Sequence, residues 1–158
     1  MIIVYFQAAF FYENRSGNQQ ATMHEDQNIE SVTKMALQFL AEAIGQCPTG
    51  LESCTNRDIV FAVLGFQYGA VQSAAYVAGL GENAAADIAK KVIGRINGME
   101  MATASKFVAL MPMLAEKGYP PIGIGSKAII GFYNAADEEE KLARAGSLRE
   151  LLRQIDEA

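Results

Sequence analysis

Tryptophan is absent from this chain, and histidine occurs once, as His24. A lone imidazole excludes the carboxylate-bridged di-metal bundle, which draws on Glu-x-x-His pairs. It also lies in a polar stretch that reads as a linker, so no Ser/His/Asp or Cys/His arrangement assembles around it. No catalytic residue is assigned. Cysteine is nearly as scarce. Cys47 and Cys54 are the only two, with six residues between them in a turn-rich loop. That is too few for a disulfide scaffold and points to a reducing, cytoplasmic setting. Thioredoxin-like chemistry needs a two-residue gap, and a zinc site needs a third ligand nearby. Two free thiols are the expectation, with a loop disulfide or a cysteine-dependent enzyme as weaker alternatives.

Positive charge is in deficit. Thirteen Lys and Arg face 18 Asp and Glu, for a net charge of −5. A generic nucleic-acid binder is excluded, because phosphate affinity rests on clustered basic residues. The excess is local, since Asp137 to Ala158 holds seven acidic and four basic residues. Residues 1–12 are apolar but contain no Lys or Arg, so they lack the basic start of a signal peptide. They are also too short to span a bilayer.

The largest absence is of any charge between Asp58 and Glu82. A stretch that long is hidden in lipid, in a buried strand or in the centre of a core. Gln67, Gln72 and Ser73 in its middle weigh against hydrocarbon, and a buried strand through the β-branched run Ile59 to Phe66 is a weaker alternative to a core helix, short apolar runs being ambiguous. At helical spacing Ala62, Gly65, Gly69 and Ser73 make one ridge of small side chains, and Ala70, Ala74 and Ala78 another. Such a helix lets neighbours approach closely from more than one side. Its amides then need partners, because an unsatisfied buried amide costs about 1–3 kcal/mol.

What remains is helical punctuation. Residues 1–24 read as an apolar segment followed by a polar linker, and 25–158 as one helical domain. The first helix is expected from Ile29 to Ile44 behind an Asn28 cap, with Ile29, Val32, Ala36, Phe39, Leu40 and Ala43 on one face. Thr55 with Asp58 approximates a capping box for the uncharged helix, about 57–80. Asn83 caps a third helix to Asn97, with Ala85, Ile88, Ala89, Val92 and Ile96 inward. A fourth runs from Met99 to Lys117, turns Ala104, Phe107, Met111 and Leu114 inward, and is bent by Pro112. Gly118 to Gly125 reads as a non-helical loop, and Ser126 as the cap of a short helix through Tyr133. Asp137 to Glu140 open another helix, and Ser147 with Glu150 caps the last. The fold class is therefore all-α: a compact bundle of five to seven helices around the uncharged one.

Two constellations carry candidate binding chemistry. Tyr68, Gln72, Tyr76, Phe107 and Met111 would line an apolar pocket between the uncharged and Pro-bent helices. Gly123, Gly125, Ser126 and Lys127 would form an anion site if the glycines precede a helix. The order Gly-Ser-Lys departs from a Walker loop, and a flexible turn with a Ser126 cap is the simpler account. The Met99/Met101 and Met111/Met113 pairs fill space rather than chelate, because residues two apart on a helix diverge. No metal or cofactor is expected. The composition points to a self-associating interaction module, with a homo-oligomer or protein partner. The alternative is a bundle that binds a small apolar ligand.

Overall fold

A computed structural model describes residues 21–48 and 56–158. Among them are seven helices and no strand: α1 (Ala21–Gly45), α2 (Arg57–Val77), α3 (Glu82–Asn97), α4 (Met101–Glu116), α5 (Pro120–Tyr133), α6 (Glu138–Ala145) and α7 (Ser147–Asp156). The apolar residues 1–12, the Ser16-to-Gln20 part of the linker, Cys54 and the Thr55 cap lie outside the described residues.

The uncharged segment is the central helix. From Leu64 to Val71 every residue of α2 is buried, on all sides of the helix. By length and composition α2 would also cross a membrane, but 61% of its most apolar window is covered by the rest of the chain. Its start is capped by Asn56, whose side chain accepts from the Asp58 N–H at 2.9 Å. The αL residues Gly79, Gly98 and Gly118 follow the ends of α2, α3 and α4 with φ of 73°, 61° and 71°, a conformation that costs glycine nothing.

Helix α1 begins well before Ile29. No Gly or Pro interrupts residues 21–44, and Met, Glu and Gln are good helix formers, so residues 21–28 of the polar stretch belong to the helix instead of linking to it. Asn28 is thus interior to α1 and His24 sits on its first turns. The inward face is as the periodicity requires: Val32, Ala36, Phe39, Leu40 and Ala43 are buried. Phe39 stacks on Phe66 of α2 at 5.9 Å and meets Phe132 of α5 edge-on at 5.2 Å.

The closest helix pair is α2 with α5, and it corrects the loop expected at Gly118 to Gly125. Helix α5 starts at Pro120, with prolines in its first turn. Pro suits that position because its fixed φ is already helical and no donor is needed there. Gly125 is therefore inside a helix. A methyl built on Gly125 would overlap the Phe66 carbonyl, and one built on Gly69 would overlap the Ile122 carbonyl. Gly65 lies under the Tyr119 ring, whose Cε1 would stand 3.0 Å from an added Cβ. The first small-residue ridge of α2 is the surface on which α5 packs.

Two caps also differ from expectation. Gly81, not Asn83, precedes α3. Gly146 alone separates α6 from α7, and no side chain caps α7. Glu150 is instead held by Arg153, Nη2 to Oε1 at 2.7 Å, and by Gln154. Asp137 does cap α6, accepting from the Glu140 N–H at 2.8 Å. At the far end of α6, Gln46 donates to the Leu142 carbonyl at 3.0 Å and so ties α1 to that helix.

Candidate functional site

The ends of α1 and α3 meet beside the first turns of α2 and leave a groove of about 630 Å³, within the range of small-molecule sites. Helix α1 supplies Ile44 from its last turn. Helix α2 supplies Ile59, Val60, Val63 and Leu64, and the end of α3 supplies Arg95, Ile96 and Asn97, followed by Gly98 and Met99. The walls are branched aliphatics, which hold few rotamers and make a firm surface.

A polar clasp fixes the α2–α3 side of the groove. Gln67 has 0% exposure. Its Oε1 accepts from Asn97 Nδ2 at 2.7 Å, and its Nε2 donates to Asn97 Oδ1 at 3.2 Å. Asn97 Nδ2 also donates to the Ile93 carbonyl at 2.8 Å. Both amide hydrogens of Asn97 are thereby spent, and one of the amides expected to need a partner in the uncharged helix has found one. The Gly98 and Met99 N–H groups bond the carbonyls of Arg95 and Gly94 at 3.4 and 2.9 Å, closing the end of α3.

The residues expected to line a pocket by α4 differ widely in exposure. Tyr68 and Met111 are in the core, Tyr76 is 84% exposed on the surface, and Gln72 is half-buried. Phe107 is half-buried and packs edge-on against Phe61 at 5.8 Å. None of the five lines the groove. Burial raises the pKa of Tyr68, and the Glu82 charge adds to it.

The proposed anion residues sit along α5 rather than before it. Gly123 and Lys127 are exposed, Ser126 is half-buried, and Gly125 is pressed against α2. Inside a helix the backbone donors from the second turn onward are spent on helix carbonyls, so the cradle expected of a pre-helix loop is not formed. Cys47 donates from Sγ to the Ala43 carbonyl at 3.4 Å. Burial raises its pKa, with Arg149 pulling modestly the other way, which disfavours the nucleophilic thiolate. No group of three His, Cys, Asp or Glu side chains suited to a metal occurs among the described residues.

The groove was missed in the sequence because its residues come from three helices. Their shared signal was only that Ile59, Val60 and Val63 open the uncharged segment while Ile96 and Met99 flank a glycine stop. Compared with known proteins, the chain matches no family model, no curated protein and no solved structure.

Proposed function

We propose that the chain is a ligand-binding helical bundle of the cytoplasm, taking a small, largely apolar molecule in the groove between α1, α2 and the end of α3. The observation that carries this reading is the groove itself, sized for a small molecule and walled by Ile44, Ile59, Val60, Val63 and Ile96. A chain with central helix α2 mostly covered by its own neighbours fits a water-borne bundle. The test is a thermal-shift screen over small amphipathic molecules, repeated on Val63→Trp, which fills the groove. Ligands that raise the melting temperature of the parent chain and leave the variant unmoved are expected. No shift with any of them removes the reading.

A second reading, self-association, is favoured by α4. This helix buries only Ala104, Val108 and Met111 and leaves Met101, Leu110 and Met113 exposed. Its outer side carries these with Ala102 and Ala109 around a single Lys106, an apolar surface of the kind that copies of a chain cover. Sedimentation equilibrium at micromolar concentration checks it. A dimer that Leu110→Lys with Met113→Lys converts to monomer supports this reading, and a clean monomer of the parent chain ends it.

A further inference from the structure

The geometry points to a ligand class for the groove: an amphipathic molecule with one anionic head and an aliphatic body, its head paired with Arg95. This rests on the ligand-binding reading above. Among the described residues, Arg95 is the only charged side chain in the lining, and it forms no ion pair with any of them.

Asn97, the other polar side chain among the described lining residues, has its amide hydrogens already committed. Asn97 has given one amide hydrogen to Gln67 and the other to Ile93. That leaves the Arg95 guanidinium, with five donors and no acceptor, as the group that recognises a head. Its partner is therefore an acceptor, and an anion before a neutral one.

The end of a helix ordinarily repels an anion, because its free carbonyls carry a partial negative charge. At the end of α3 this effect is blunted. The carbonyls of Ile93, Gly94 and Arg95 accept from Asn97 Nδ2, the Met99 N–H and the Gly98 N–H respectively. A full positive charge thus outweighs what remains of the dipole.

The body of the ligand follows from the walls. Ile44, Ile59, Val60, Val63, Ile96 and Met99 offer aliphatic surface and one flexible thioether, and no aromatic ring lines the groove among the described residues. A planar aromatic ligand has nothing there to stack on, whereas a methylene chain is matched along its length. A free carboxylate and the same head on a lipid share this chemistry, and soluble probes against vesicles tell the sources apart.

The experiment is isothermal titration of the full chain with octanoate, 1-octanol and octylammonium, which differ only in the head. Octanoate is expected to bind about fivefold more tightly than the alcohol, the modest scale of a partly solvated ion pair, with octylammonium weakest. Arg95→Gln brings octanoate down to the level of the alcohol and leaves the alcohol unchanged, and added salt narrows the preference in the parent chain. Vesicles containing the same fatty acid, with no binding beyond that of the free acid they release, assign the soluble form; tighter binding to the vesicle surface assigns the lipid. If octanol binds as well as octanoate, or Arg95→Gln changes nothing, the anionic head is overturned while the ligand reading stands. If none of the probes saturates, or if Val63→Trp and Met99→Trp chains of normal helicity bind octanoate as before, both are overturned.

Discussion

Gly69 and Gly125 face each other's helices with backbone against backbone: the first meets the Ile122 carbonyl and the second the Phe66 carbonyl. The contact is reciprocal, so at these two points α2 and α5 meet main chain against main chain. Alanine at either position improves helix propensity by about 1 kcal/mol. It also drives a methyl into a carbonyl that cannot rotate away, and overpacking against backbone outweighs that gain. We expect Gly69→Ala and Gly125→Ala each to destabilise the fold by about 2 kcal/mol net, measured by urea unfolding.

Gly123 is two residues away on the same helix and behaves oppositely. Nothing stands within 4 Å of the position its Cβ would take, and its φ is not in the left-handed region. Gly123→Ala should raise stability by up to about 1 kcal/mol, because it restricts the unfolded chain and strengthens a helix at no steric cost. The same unfolding measurement checks it, and the contrast with Gly125 separates packing from propensity.

These glycines also show what the sequence conveyed. In α2 the Gly65/Gly69 spacing identified a close-approach ridge, because an uncharged run admits few other uses for two glycines at helical spacing. In α5 the same residue type reads as loop in the sequence, since Pro120-Pro121 and the glycines at 118, 123 and 125 imitate turn chemistry. A proline pair that opens a helix looks in sequence much like one that interrupts chain. The inward faces of α1 and α3 were legible because each has a strong polar side for contrast. The groove was not, because no periodicity links Ile44 to Ile59 or Ile96, and only the packing of three helices brings them together.

The Gln67–Asn97 clasp gives a prediction with a built-in control. Asn97→Ala removes both bonds to Gln67 and leaves a fully buried amide without those partners. The expected cost is about 2 kcal/mol, most of it the penalty of an unsatisfied buried group. Gln67→Leu in the Asn97→Ala background should recover part of that loss, because the orphaned amide is then gone. A double-mutant cycle from chemical denaturation reads the coupling, and independent, additive effects would show that the clasp holds nothing.

Alkaline stability should depend on Tyr133. Its hydroxyl donates to the Met35 carbonyl of α1 at 2.7 Å, and burial pushes its pKa from 10.0 up to about 12. The sign follows from the proton count. Below pH 10 both folded and unfolded chains keep the phenol proton, and the contribution of this group is fully present. Between pH 10 and about 12 the unfolded chain releases the proton while the folded chain retains it, so stability falls as pH rises. Tyr133→Phe should cost about 1 kcal/mol at neutral pH for the lost hydrogen bond. It should also flatten the decline above pH 10 and delete the latest phase of phenolate absorbance in a pH titration. A parent chain whose tyrosines all ionise together near pH 10 while still folded would contradict the burial that holds α5 to α1.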